Sequence, residues 1–267
     1  MVPCVFLLLL PPSEGKAPNP PRRPRTRSAP LWAPDSGRFS DLGPTRHKIA
    51  DALALAMGNV ADAGALLGVG GTHLERARAA NCQLLTSPTM AAANRYTGVV
   101  HDHLDLATLA SAHRSKARRS VVIFSGLAGV VGIDDPLPDY RIKMGASLPG
   151  IGPLARMWRP LINAQLAVQQ PLLVLDLLPK EHAGAWSPEI VGVPVIRVQF
   201  QHIDAAGNRK IIGHDAKAAK GLLARHVITS ADTPKRAVTT FTHDGWRIDS
   251  ISKDAGITQI NYIRQTG

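Results

Sequence analysis

The sequence predicts an α/β fold, a single domain with a mixed β-sheet flanked by helices. Three observations predict it. Apolar runs of buried-strand length are interleaved with helix-like segments along the whole chain. The 267 residues, 45% hydrophobic and 19% charged, can bury a sizeable core and have globular composition. No internal repeat is visible. The domain is read as residues 1–267, with 17–44 as an inserted segment.

The first element is the apolar run Val5 to Leu10, which breaks into Pro11-Pro12-Ser13-Glu14-Gly15-Lys16. Six apolar residues suit a core strand and fall far short of a bilayer span. Two prolines end sheet pairing, because neither donates a backbone N–H, and they stiffen the exit. Ser13, Glu14 and Lys16 then lie at a strand's carboxyl end, where open α/β sheets place their ligand crevice. An ordinary strand exit with solvated charges accounts for the same residues. Residues 17–44 hold Pro18, Pro20, Pro21 and Arg22-Arg23-Pro24-Arg25-Thr26-Arg27, a composition that reads as a mobile basic loop.

From Thr45 the chain reads as helical, with further helices expected over Ala61–Leu67, Thr72–Asn81 and Leu106–Arg119. The last ends in His113, Arg114, Lys116, Arg118 and Arg119. These cations suit a helix C-terminus and would also suit a polyanion. Val121–Phe124 and Leu172–Leu177 read as buried strands. Val193–Gln201 alternates, and Ala205–Asn208 turns it back into Arg209–Ile212. His214–Ile228 is expected to be helical, and Thr239–Ile248 and Ile257–Ile263 are expected to be closing strands.

Charge narrows the function classes. A net charge of +11 and a pI near 10.2 point to polyanionic partners. A membrane is the weakest of these, since no apolar run reaches about 18 residues. Val5–Leu10 lacks the preceding basic residues and following cleavage site of a signal peptide, so a cytoplasmic location is expected. With only 4 Trp, 3 Tyr and 5 Phe, nucleic-acid contact by base stacking is disfavoured against contact with phosphates. Cys4 and Cys82 form no disulfide framework or metal spacing and are expected to be buried and inert. His101-Asp102-His103 suggests a metal only weakly, because i and i+2 do not face one another on a helix. No metal site or cofactor is expected. No Gly-x-Ser-x-Gly elbow or Walker loop occurs.

Two constellations remain. Leu148-Pro149-Gly150-Ile151-Gly152 resembles the hairpin of helix-hairpin-helix DNA-binding motifs, whose glycines bring backbone N–H groups close to a phosphate. Arg156 and Arg159 follow on an expected helix, and a plain glycine-proline turn is the competing reading. The DNA-binding set is therefore Gly150, Gly152, Arg156, Arg159, Lys217, Lys220 and Arg225. The second constellation is a candidate anion pocket of Ser13, Glu14, Lys16, Tyr96, Arg141, Asp176 and Lys217, provided that strand ends bring them together.

A family resemblance then emerges from the blocks Leu10–Lys16, Tyr96-Thr97-Gly98-Val99 and Ser125-Gly126-Leu127 with Gly129. It continues through Asp135-Pro136, Tyr140-Arg141, Gly145, Trp158-Arg159-Pro160, Val174-Leu175-Asp176-Leu177, Ala216-Lys217 and Lys220-Gly221. In this order they resemble the YaaA family of peroxide stress resistance proteins, over most of the chain outside 17–44 and the last few residues. The resemblance implies a cytoplasmic single-domain α/β protein that limits iron-mediated oxidative damage. It also implies binding of duplex or distorted DNA through a basic cleft and a helix-hairpin-helix element. It implies no established catalytic activity. This chain departs from the family pattern at Pro179 and His182, where a serine and a tyrosine are usual, and at Asp215 and Ala128, where aromatic residues are common. These departures would reshape one pocket neighbourhood.

Two functions follow as expectations. The first is a stress protein that binds DNA through phosphate contacts with little sequence preference. The second is an enzyme, or former enzyme, acting on a small anionic substrate in a pocket of the Ser13–Lys16, Tyr140-Arg141 and Lys217 segments. There Lys16, Arg141 and Lys217 would hold the anion, and Glu14 or Asp176 would move a proton.

Overall fold

The computed structural model describes residues 6–19 and 29–265. Leu7–Leu10 forms β1, with all four leucines buried, as expected where both faces of a sheet are covered. Three helices follow: α1 (Gly43–Ala56), α2 (Val60–Leu67) and α3 (Gly71–Cys82). After them come the short β2 (Met90–Ala91), α4 (Ala92–Arg95), α5 (Val99–Leu104) and α6 (Ser111–Ser120). The fully buried β3 (Val121–Ser125) runs into β4 (Gly129–Val131), β5 (Pro136–Leu137), β6 (Ser147–Leu148) and β7 (Gly152–Pro153). Then come α7 (Leu154–Val168), β8 (Val174–Asp176), α8 (Pro188–Val191), β9 (Val195–Ile203) and β10 (Arg209–Lys210). The last elements are α9 (Gly213–Thr229), α10 (Pro234–Thr240), β11 (Arg247–Asp254) and β12 (Ile257–Gln265).

Among the described residues the main sheet has the order β11-β12-β9-β8-β1-β3-β4, with β10 paired to β9. The five strands from β12 to β3 are parallel to one another. β4, β10 and β11 are antiparallel to their partners. The fold is therefore a mixed α/β sheet with helices around it. From β1 the chain builds β3 on one side and later returns to place β8 on the other. Such a reversal of strand order opens a crevice at the strands' carboxyl ends, and the Pro11–Lys16 turn stands there.

Helix periodicity explains the covering layer. α9 buries Ala216, Ala219, Leu223, Ala224, Val227 and Ile228, one stripe at spacings of three and four. It packs on α5, α6 and β9. α7 buries Leu154, Trp158, Ile162 and Leu166 at strict i+4 spacing.

Several expectations need correction. The helix expected over Leu106–Arg119 is split into a 3-10 turn at Leu106–Thr108 and α6 from Ser111. Asp105 adopts φ 44, ending α5, and Leu109 is extended and buried. The strand expected over Thr239–Ile248 begins only at Arg247. Thr233 caps the N–H of Arg236, and Pro234 occupies the first helical turn, so residues up to Thr240 are helical. The inserted segment is shorter than 17–44. Residues 29–44 contribute Trp32, Phe39 and Leu42 to the core. The buried Arg46 guanidinium also binds the carbonyls of Pro34 and Ser36 there, at 2.8 and 3.1 Å. Arg22–Arg27 lies outside the described residues, as does Cys4. Cys82, expected to be buried, is exposed at the end of α3.

The helix-hairpin-helix expectation is also revised. Ser147-Leu148 and Gly152-Pro153 form a two-stranded antiparallel ribbon that leads into α7, and no helix immediately precedes it. Gly150 and Gly152 have φ of +76° and +90°, so glycine is required by the turn itself.

Candidate functional site

The residues after β1 do not simply exit into solvent. They run antiparallel to Arg95–Thr97, with Lys16 opposite Tyr96, and the N–H of Ala17 donates to Arg95 O at 2.9 Å. Ser13 Oγ donates to Thr97 O. The fully buried Arg95 fastens the pair by donating to Leu137 O, Ala17 O and Asn19 Oδ1.

This pairing buries Lys16, which is only 8% exposed. Its Nζ donates to Ser13 O at 2.9 Å and lies 4.2 Å from the centre of the Tyr140 ring and 5.6 Å from that of Tyr96. Burial, reinforced by the nearby Arg141 charge, lowers its pKa to about 7. The Tyr96 and Tyr140 hydroxyls are 2.7 Å apart, and Tyr140 OH is 2.8 Å from Ser125 Oγ. Ser125 Oγ in turn accepts from the N–H of Ala128 at 3.0 Å. Desolvation raises both phenol pKa values, so both remain protonated near neutrality. His101 stacks on Tyr96 and sets Nε2 3.1 Å from Pro11 O, while its buried Nδ1 has no hydrogen-bond partner. Burial pushes its pKa down to about 4.

Around this buried cluster lies a charged rim. Glu14 is exposed and pairs with Lys143 at 3.0 Å. The Lys143 hydrogen bond lowers the Glu14 pKa, and the charges of Lys143, Lys217 and Lys16 lower it further. Arg141 bonds to Asp139 and to Tyr140 O, and its backbone is clamped by Asn81. Lys217 is exposed. Six of the seven anion-pocket residues therefore lie in one region, with Arg141 already engaged by a carboxylate.

Asp176 belongs elsewhere. It sits level with Leu9 in the sheet register and pairs with Arg197 at 2.8 Å, while its other oxygen accepts from the N–H of Leu178. Burial raises its pKa despite Arg197. Lys220 Nζ, expected at a phosphate, instead donates to Leu177 O at 2.8 Å and Leu178 O at 3.3 Å. Its pKa falls to about 8 through burial. Arg225 binds Leu104 O, Asp105 O and Thr108 Oγ1. Both cations hold structure together.

The remaining members of the DNA set face outward. Arg156 is exposed on α7, and the largely exposed Arg159 donates to Gly184 O at 2.7 Å. Trp158 Nε1 donates to Gly126 O at 3.0 Å, which holds the start of α7 against the end of β3. Lys143 is not among the site residues read from the sequence, and no motif there signals it; only the fold brings it beside Glu14 and sets the ring of Tyr140, named with Arg141 in the sequence, against Lys16.

The four departures from the family pattern are dispersed, not gathered in one pocket. Ala128 backs Ser125. Pro179 precedes the 3-10 turn that buries His182, whose ring nitrogens lack hydrogen-bond partners and whose pKa burial and Lys220 lower to about 4. Asp215 faces His202 at 3.4 Å and Arg264 at 3.8 Å, on the β9–β12 side. Among the described residues no group of three His, Cys, Asp or Glu could hold a metal, and no helix is long and apolar enough to cross a membrane.

The family model described as peroxide stress protein YaaA matches residues 6–251. A UPF0246 protein of Streptomyces coelicolor is 36% identical over 234 residues, covering 86% of this chain and 85% of its own. One of Corynebacterium efficiens is 34% identical over 266 residues, 97% of each chain. Another, of Corynebacterium glutamicum, is 33% identical over 258 residues, 94% of each.

Proposed function

Because the chain belongs to the YaaA family of peroxide stress proteins, we propose that it binds duplex or distorted DNA through a basic face and limits iron-mediated damage to it. The observation that carries this reading is the grouping of exposed cations at the carboxyl ends of the central strands. Lys143 lies beside the turn after β1, and Lys180 follows β8. The start of α7, with Arg156 and Arg159, is held against the end of β3 through Trp158 and against the 3-10 turn at Lys180–Ala185 through Arg159. α9, with Lys217, is anchored to the end of β8 through Lys220. With a net charge of +11, such a face suits a phosphate backbone and reads little sequence.

A mobility-shift titration against duplex and junction DNA tests the reading. Binding should fall steeply with salt, and each charge reversal at Lys143, Arg156 or Lys217 that removes a phosphate contact should reduce the salt slope by about 0.9. Absence of binding at low salt refutes it. Replacing Gly150 and Gly152 by alanine strains the ribbon, and unchanged affinity in the folded variant would exclude the ribbon from the interface. Exposing bound duplex to Fe(II) and hydrogen peroxide tests protection; unchanged strand breakage with binding intact removes that part of the proposal.

A further inference from the structure

We propose that Lys16 is an amine nucleophile that captures small anionic aldehydes or 2-oxo acids as an imine, at a buried site whose rim, Lys143 and Lys217, is shared with the proposed phosphate-binding face. Four features of its surroundings support this. First, among the described residues Lys16 forms no ion pair, and its amine donates to a backbone carbonyl, Ser13 O. Second, it is enclosed by Tyr140 and Tyr96, and burial together with the nearby charge of Arg141 disfavours its ammonium form. Third, the two rings that enclose the amine carry the hydroxyls of a hydrogen-bonded Ser125–Tyr140–Tyr96 chain, both phenols protonated near neutrality. Fourth, Lys143 and Lys217 stand on the rim above it and favour a substrate carrying a carboxylate or phosphate.

The step is balanced and needs no redox partner. The unprotonated Nζ attacks the carbonyl carbon, forming the C–N bond, and the carbonyl oxygen takes up a proton. The nitrogen gives up one proton as the oxygen gains one, and the resulting carbinolamine loses its hydroxyl and the remaining N–H proton as water, leaving C=N. In this proposal the Tyr140 hydroxyl, hydrogen-bonded to Tyr96 and Ser125, relays a proton to the departing oxygen. The turn that covers the amine, Ser13–Gly15, is the proposed route of entry, and its Glu14 and Gly15 are exposed.

Reductive trapping tests the proposal on the full chain. The protein is incubated with glyoxylate and cyanoborohydride near pH 7.5, and labelled lysines are located by peptide mass spectrometry. Lys16, with its pKa about 7 against the ordinary 10.5, should be labelled at least about tenfold faster than the exposed Lys48 and Lys235. Acetaldehyde, which lacks the anion, should label Lys16 several-fold more slowly than glyoxylate. Tyr140→Phe should slow capture at Lys16 while leaving Lys48 and Lys235 unchanged. Labelling of the exposed lysines with Lys16 untouched overturns the proposal, and equal labelling of Lys16 by both probes overturns its anionic specificity. Trapping is scored without DNA, so its result is independent of the mobility-shift outcome.

Discussion

Replacing Lys16 by methionine should change how the stability of this protein depends on pH. The side chains are similar in length, so the substitution chiefly removes the amine and its bond to Ser13 O. In the native state the amine titrates at about 7, against 10.5 for an ordinary lysine. Between these values the unfolded chain holds a proton that the folded chain has released, so native stability rises with pH throughout that window. Below pH 7 both states are protonated, and the folded protein bears the full cost of a desolvated ammonium. At about 1.4 kcal/mol per pH unit, the gap from 10.5 to about 7 amounts to about 5 kcal/mol. The lost hydrogen bond offsets about 1 kcal/mol of this. Lys16→Met should therefore be the more stable protein at pH 6 by several kcal/mol. Its advantage should shrink by about 1.4 kcal/mol per unit above pH 7, or about 3 kcal/mol by pH 9. Urea unfolding of both proteins at pH 6, 7, 8 and 9 measures the difference directly, since other titrating groups are common to both. A difference that stays constant with pH would refute the argument that Lys16 is held largely unprotonated in the fold.

Two further perturbations test the scaffold beneath the site. Gly129 has φ +71, and a Cβ there would lie 2.7 Å from the buried Trp158 ring. Gly129→Ala should cost about 2–4 kcal/mol of unfolding free energy by urea titration; a loss under about 0.5 kcal/mol would contradict the packing described. Arg46 is 2% exposed and donates to the carbonyls of Pro34, Ser36, Ala128 and Val130. Arg46→Met leaves these four acceptors without their donor, so a loss of about 3 kcal/mol or more is expected. Amide exchange should rise first in residues 29–44, and uniform exchange across the chain would argue against a local clamp.

What could be read from the sequence was decided locally. The all-leucine β1 is buried on both faces, and its hydrophobicity alone identifies it as a core strand. The double proline ends it, and the spacing of Ala216, Ala219, Leu223 and Val227 defines α9. The basic balance follows from composition. Where local cues competed, the sequence misled: Thr239–Ile248 reads as a closing strand, but the Thr233-Pro234 cap starts a helix that runs to Thr240. Likewise, Leu-Pro-Gly-Ile-Gly has the glycines of a hairpin, yet what precedes that hairpin depends on packing and not on those five residues.

The strand order decided the rest. Placing β3 and β8 on opposite sides of β1 brings Ser125 to the Lys16 end of the sheet, while the bridge from Lys16 to Tyr96 closes a separation of 80 residues. Asp176, at the neighbouring strand end, turned instead to Arg197. Lys220 and Arg225 look like phosphate ligands in a chain of charge +11, but backbone carbonyls in tertiary contact claimed them first. The sequence by itself determined which residues carry charge and which strands are buried. Only the tertiary structure decided which charges are spent inside the fold and which remain for a ligand, because desolvation and partner geometry depend on what packs around each group and not on its neighbours in the chain.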